Sequence, residues 1–317
     1  MTVGVLVLAC ALDAAVGDPR WLPHPVRLMG RVIAGYECRM RRIVFHRAGE
    51  LAAGLVLAVG LPAVSFGAAW LAIDLSSRLH DVVGQAVEIL LAFTTLAARD
   101  LADHARAVRR ALETGGLDEA RHTVSRVVGR DTAQLSEPEV VRATVEAIAE
   151  STADGVVAPL CFLVLGGPPL ALAYKAINTL DSMIGHREPP YRHFGWASAR
   201  LDDLANWVPA RVTALLIVGT AALVFRNTAA AARAWRTLRR DGAKHPSPNS
   251  GHSEAAMAGA LGVQLGGANV YDGVALERPT LGEALRPLSP RCIHDALRVM
   301  WAVFGLAVLL AAGLLRV

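Results

Sequence analysis

Cysteine is scarce in this 317-residue chain, and the four that occur, Cys10, Cys38, Cys161 and Cys292, stand far apart with no CxxC pair among them. That spacing argues against a disulfide framework and against a zinc site, and leaves buried, inert thiols as the expectation. Other absences narrow the field further. No GxxxxGK[ST] string is present, which excludes a Walker A loop as the means of holding a nucleotide. The net charge of +4 comes with no recognisable nucleic-acid motif, so the basic excess points to cytoplasmic loops and anionic lipid headgroups rather than to DNA or RNA. The apolar run at 3–16 has no basic residues before it and is interrupted by Asp13, which argues against a cleaved signal peptide; it is expected to stay in the mature protein. There is no internal repeat and no low-complexity tract.

What the chain has in quantity is apolar sequence gathered in blocks. Hydrophobic residues make up 53% of it and the mean hydropathy is +0.38. Blocks of this kind imply a membrane protein with sizeable polar loops. A spanning helix needs ~20 mostly apolar residues. Residues 51–73 and 299–315 meet or approach that length, and 210–226 does so with its flanks in the headgroups. Segment 83–98 contains Glu88, and segment 156–173 is broken by Pro159 and by Gly166-Gly167-Pro168-Pro169. The run at 3–16 is short, so it is either a span or a re-entrant piece. The expected fold is all-α: one polytopic membrane domain over 1–317, with a polar helical region at 99–155 and a polar loop and helix at 227–297. Gly115-Gly116 reads as a turn, Glu137-Pro138 as a helix start and 241–250 as a loop.

Arginine-rich loops orient these segments. If all six runs span, loops 20–47, 99–155 and 226–297 fall on the cytoplasmic side. The same arrangement puts residues 183–209 outside, away from cytosolic ATP. Either 156–173 folds back without crossing, or the loop dips into a cavity open to the cytoplasm; the sequence leaves both open.

That loop belongs to the stretch richest in chemistry, Tyr174 to Ala210. Lys175, Asn178, Asp181, Arg187, Arg192, Asp202, Asp203 and Asn206 are interleaved there with Tyr191, Phe194, Trp196 and Trp207. Cations, carboxylates and flat aromatic faces together suit a large anionic ligand and a metal-bound phosphate. Each member also has a plainer reading. Lys175, at the end of an apolar segment, serves as a snorkelling anchor or neutralises a phosphate. Asp202 and Asp203 place charge at a helix N-terminus or, with Asn206 one turn on, hold a metal. Trp207, beside an apolar run, reads as an interface anchor.

Further candidates lie elsewhere. Arg142, Glu146, Glu150 and Asp154 recur every four residues, so they form one helix face: a solvated stripe with an Arg142–Glu146 pair, or carboxylates at a membrane threshold placed for Mg²⁺ or an amine. Ser247, Asn249, Ser250 and Gly251 precede a helix expected near His252, as a cap or as an anion site, with His252 as a proton acceptor. Asp13, Asp18 and His24 flank a turn after the first apolar run; Asp13 lies inside that run, where a carboxylate is a functional candidate by default.

Four segments in order, DAAVGDPRWLPHPVRLMG at 13–30, VGRDT with VEAIAESTADGVVAPL within 128–160, KAINTLDSMIGH with YRHFGWASARLDDLANWVPAR within 175–211, and SPNSGHSEAAMAGALGVQLGG at 247–267, resemble the CobD/CbiB family of cobalamin-biosynthesis membrane proteins, the adenosylcobinamide-phosphate synthases. Cys161 and His186 depart from the family pattern, which has an aromatic residue and tyrosine there. The resemblance implies ATP-dependent amide formation between a corrinoid carboxyl and an amino alcohol or its phosphate, with ATP and Mg²⁺ required. It implies a multi-pass protein of the bacterial cytoplasmic membrane, whose partners are the lipid bilayer and other cobalamin-biosynthesis proteins or further copies of itself. On that basis Lys175, Arg187 and the 247–251 helix start are expected to handle phosphate. Asp181, Asp202 and Asp203 are expected to hold metal, Glu150 or Asp154 to receive the amine, and His252 to move a proton. Arg192, Asn178, Trp196 and His24 are expected to bind substrate. A transporter and a non-catalytic scaffold of the same family are the rival readings.

Overall fold

The computed structural model describes every residue except Arg20, Leu22, Phe45, Arg187, Asp272 and Val317. In chain order the helices are α1 (Val3–Val16), α2 (Pro25–Met40), α3 (Arg47–Leu79), α4 (Asp81–Phe93), α5 (Ala98–Arg110), α6 (Leu117–Val124) and α7 (Glu137–Thr152). There follow α8 (Ala158–Ile184), α9 (Trp196–Ala205), α10 (Trp207–Phe225), α11 (Thr228–Asp241) and α12 (Ser250–Leu261). Strands β1 (Gln264–Tyr271) and β2 (Val274–Gly282) precede the last helix, α13 (Pro290–Leu314). Five helical stretches, Arg47–Leu79, Asp81–Gly115, Glu137–Ile184, Trp207–Phe225 and Pro290–Leu314, are long and apolar enough to cross a membrane. The protein is thus a polytopic helical membrane protein, and α1, apolar but of 14 residues, is shorter than a full span.

Packing divides the chain into two compact units. The first comprises residues 1–97, 158–206 and 308–317, the second residues 98–157 and 207–307. Each unit collects its helices from distant parts of the chain, so the division follows packing rather than sequence order.

In the first unit, α3 packs along α8, and their shared core holds Leu57, Leu61, Leu172, Ala176, Leu180 and Ile184, with Met29 and Ile33 from α2 and Phe194 from the loop before α9. Glycine sets the closest approach: a Cβ on Gly54 would lie 1.9 Å from the Phe194 carbonyl oxygen. The opposite face of α3 leaves Val56, Val59, Val64 and Leu75 exposed, as a lipid-facing surface requires. Segment α8 bends at Gly166 and Gly167, whose backbones are non-helical, because the following Pro168 and Pro169 remove two N–H donors.

In the second unit, α7 starts at Glu137 with a capping box: the Glu139 carboxylate accepts from the Ser136 amide at 2.7 Å. One expectation fails here. Residues 227–297 are not only loop and helix, since β1 and β2 pair as an antiparallel hairpin from Gln264↔Gly282 to Tyr271↔Val274, with a bulge between Leu265 and Gly267. Gly266 and Gly267 take positive φ, and a Cβ on Gly266 would stand 2.2 Å from the Pro279 carbonyl oxygen.

The Gly54 contact predicts that Gly54→Ala lowers stability by about 1–3 kcal/mol through overpacking. Gly60→Ala, on the same helix with nothing within 4 Å, should be neutral. Thermal unfolding of the two variants in detergent separates them.

Candidate functional site

Each unit carries a polar cluster. In the first unit a cavity of about 270 Å³ is lined by Asp18, His24, Arg27, Thr94 and Lys175, among others. His24 caps α2 through Nδ1, which accepts from the Val26 amide at 3.3 Å, and this turns Nε2 to the Asp18 carboxylate at 3.2 Å. Pro25 at the first helical position fixes that entry. The fold therefore brings together three residues singled out from sequence, Asp18, His24 and Lys175, with Asp18 as the partner of His24.

Along α8 from Lys175 lies a second group. Asn178 Nδ2 donates to Asp202 Oδ1 at 3.5 Å, and the Tyr174 hydroxyl donates to Asn206 Oδ1 at 2.9 Å, so α8 and α9 meet through polar side chains. Asp202 is only 9% exposed. Its burial, and then the nearby Asp181 charge, push its acid up to about 7. Asp203 lies on the outer side of α9, half-buried, 3.9 Å from Arg200. Among the described residues no three His, Cys, Asp or Glu side chains converge as a metal-holding group. The donors that do approach one another are the Asp181 and Asp202 carboxylates and the Asn178 amide. Two carboxylates fit Mg²⁺ that keeps water and draws its remaining oxygens from a phosphate, not a closed protein cage.

The aromatic residues divide. Phe194 is buried in the core, so it has no free face for a macrocycle, contrary to expectation. Arg41 lies over both Tyr191 and Phe194, at 5.1 and 5.6 Å from the ring centroids, and so holds the loop that carries them. Trp196 and Arg192 are exposed. Trp207, in the second unit, is covered by Arg211 at 4.1 Å. Arg187 lies outside the described residues.

In the second unit the face of α7 is not a solvated stripe. Glu146 is 6% exposed and pairs with Arg130, not with Arg142; it also accepts from the Gly266 amide at 2.8 Å. Arg142 instead donates to the Gly266 and Ala268 carbonyls of the hairpin. Asn269 Oδ1 accepts from both arginines, at 2.6 Å from Arg130 and 3.2 Å from Arg142. The hairpin, invisible in the sequence pattern, supplies the acceptors that redirect Arg142.

One turn beyond Glu146, Glu150 accepts a hydrogen bond from the Ser250 hydroxyl at 2.9 Å. The Ser247 hydroxyl accepts from the Asn249 and Ser250 amides, both at 3.3 Å, and its own amide donates to His245 Nδ1 at 3.0 Å. Gly251 is required by packing, because a Cβ there would meet His245 Cβ at 2.5 Å; glycine lets the 241–250 loop close on α12. Asn249 is buried just ahead of α12. Beside this group sits Glu254, 5% exposed, whose acid is pushed well above its usual range by burial and then by the charges of Glu146 and Glu150. Burial and the Arg278 charge hold His245 below its usual value, and burial and the Arg211 charge do the same to His252. Asp154 lies in the π-helical turn Ala153–Val157, half-buried, where the four-residue rhythm of α7 is broken. Of the residues singled out from sequence, the fold brings Glu150, Ser247 and Ser250 into contact. The sequence marks Glu254 only as a companion of His252 in the first turn of the expected helix, and gives no site role to Arg130, His245 or Arg278, residues from three separate stretches that only folding makes neighbours.

The family described as "CobD/Cbib protein" matches residues 6–300. A protein of Geobacter metallireducens named "Cobalamin biosynthesis protein CobD" is 52% identical over 308 residues, covering 97% of this chain and 95% of its own length. A Klebsiella pneumoniae protein of the same name is 45% identical over 99% of this chain and 97% of its own length. "Cobalamin biosynthesis protein CbiB" of Salmonella typhimurium is 45% identical over 98% of each chain. No solved structure matches.

The buried acid of Asp202 gives a pH prediction. Its folded value, about 7, lies above the usual 3.8. The stability it contributes when protonated is therefore lost as pH rises from about 4 to about 7. Asp202→Asn, which mimics the neutral acid, should stabilise the protein on the order of 2 kcal/mol at pH 8 and little at pH 4. Thermal melts of both proteins in metal-free buffer measure this.

Proposed function

The chain belongs to the CobD/CbiB family of cobalamin biosynthesis proteins, and from that premise we propose that it is an ATP-dependent amide ligase of the bacterial cytoplasmic membrane. It would join a propionate carboxyl of adenosylcobyric acid to (R)-1-aminopropan-2-ol phosphate, or to the free amino alcohol, giving adenosylcobinamide phosphate or adenosylcobinamide. The observation that carries this reading is the Glu150–Ser250 contact at 2.9 Å beside the buried Glu254. A carboxylate in contact with a hydroxyl, a second acid pushed toward its neutral form by burial, and basic side chains beside them are groups suited to proton transfer at an amine.

A carboxylate is a poor acyl donor, so ATP first converts it to an acyl phosphate or an adenylate. The amine then attacks the acyl carbon, the phosphate or nucleotide leaves with the C–O electrons, and an amine proton passes to a base. Glu150 is suited to receive the ammonium of the amino alcohol. His252 and His245, both held neutral near pH 7 by burial and a neighbouring arginine, are suited to accept the proton. Lys175 and His24, which line one cavity, are suited to phosphate oxygens, with Arg27 beside them. Asp181, Asp202 and the Asn178 amide would hold Mg²⁺. When bound, that ion neutralises phosphate charge during carboxyl activation.

The test is turnover by the purified protein in nanodiscs with adenosylcobyric acid, aminopropanol phosphate and Mg-ATP, the product followed by mass spectrometry. Cobinamide phosphate should appear only with ATP, and chelating Mg²⁺ should stop it. Lys175→Ala and Glu150→Gln should each lower kcat by roughly 100-fold or more while the protein stays folded. Corrinoid flux across proteoliposomes without ATP consumption, and no amide product, would instead favour a transporter.

A further inference from the structure

A cavity of about 350 Å³ opens in the second unit between α11, α12 and the end of β2, lined by Arg233, Arg236, Arg240, Thr237, Glu283 and Leu285 among others. The three arginines lie at spacings of three and four along α11 and so share one face. Arg240 is neutralised inside the protein, by Asp241 at 2.8 Å and by Glu283. The other two have no such carboxylate among the described residues. Arg233 Nε is buried with no hydrogen-bond partner, and Arg236 bonds a carbonyl of its own helix, Ala232, at 3.3 Å. A buried guanidinium N–H without an acceptor is costly, and an entering oxyanion would satisfy it. Glycine makes the floor: a Cβ on Gly259 would lie 2.7 Å from Thr237 Oγ1, so α12 and α11 approach at backbone distance and leave the space above them open.

We propose that this cavity binds the phosphate of an anionic ligand, through Arg233 and Arg236. A guanidinium pair suits phosphate in its fork geometry as well as its charge. Surroundings favour a lipid headgroup as the source. Helix α11 follows directly on α10, a membrane-length helix, with Asn227 capping the turn through the Ala229 amide at 2.9 Å. Trp235 on α11 is 43% exposed with the Arg239 guanidinium 5.9 Å from its ring, and Leu285 at the cavity is 62% exposed. Arginines beside exposed tryptophan and leucine, just past a span, match the headgroup layer of an anionic leaflet. The Ser247–Ser250 group lies at the other end of α12, roughly 16 Å away by helical rise, so the cavity is separate from the candidate catalytic cluster.

The test reads binding, not turnover, and so stands or falls independently of the ligase. The full-length protein is placed in nanodiscs of phosphatidylcholine with or without phosphatidylglycerol, and retained lipid is counted by native mass spectrometry. Wild type should retain phosphatidylglycerol selectively, about fivefold less in Arg236→Gln and about 25-fold less in the Arg233→Gln/Arg236→Gln double variant. Arg236 is exposed, so its single variant keeps the fold even if the double variant does not; circular dichroism checks both. A second arm titrates inorganic phosphate and pyrophosphate in phosphatidylcholine discs. Binding there that Arg236→Gln weakens, with no lipid preference, upholds the phosphate site and makes its ligand a soluble one. Equal phosphatidylglycerol retention by wild type and variants, with no phosphate binding, overturns the proposal.

Discussion

The buried pair of Arg130 and Glu146 is the contact on which the second unit depends. A carboxylate taken out of water costs several kcal/mol unless a cation and hydrogen bonds replace its hydration. Glu146 obtains both, from Arg130 and from the Gly266 amide, while Asn269 links Arg130 to Arg142. These contacts join α7 to the first strand of the hairpin. With Glu146 so fixed, Glu150 one turn on is delivered to the Ser250 hydroxyl at the start of α12. The catalytic candidates therefore rest on a pair that does no chemistry itself.

Pairing also decides which acids are charged. Asp241 is buried too, yet hydrogen bonds from Arg240, Lys244 and the Gly282 amide outweigh that burial and hold its carboxyl well below the usual range. It serves as a structural anchor between α11 and β2. Asp202 and Glu254 have the opposite surroundings. Each is buried with another carboxylate as its main electrostatic neighbour, and each acid is pushed upward. Buried acids with a carboxylate neighbour gain most from a ligand that brings positive charge, which is the basis of the roles proposed above for Asp202 and for the cluster around Glu254. Glycine plays the matching part in the backbone. Gly54, Gly251 and Gly259 stand where chain or side-chain atoms press against the helix, so the polar groups around them keep their positions.

Much of this was legible beforehand, for reasons tied to particular residues. The membrane-length stretches were visible because apolar side chains run through them in blocks, and the bend of α8 because Gly166-Gly167-Pro168-Pro169 admits no regular helix. The start of α7 was written in Glu137 and Pro138. The hairpin was hidden, since QLGGANVY carries two adjacent glycines and no sustained alternation. Missing the hairpin concealed the partners of Arg142, and the spacing of four then suggested an Arg142–Glu146 pair that the hairpin carbonyls outcompete. Phe194 was misjudged for a similar reason: its neighbours in sequence are polar, while its neighbours in space are the core side chains of α3 and α8.

By itself the sequence determined the class of the protein and its family, because hydropathy and long ordered motifs are properties of contiguous residues. It also determined which residue types are available: the lysine, carboxylates and serines of four motif segments. Only the tertiary structure decided which of them meet. Ser250 reaches Glu150 across 100 positions of chain, and Arg130 reaches Asn269 across 139. Whether a buried acid is paired, as Asp241 is, or pushed toward its neutral form, as Asp202 and Glu254 are, depends on the charges that folding sets beside it, and no local pattern encodes that.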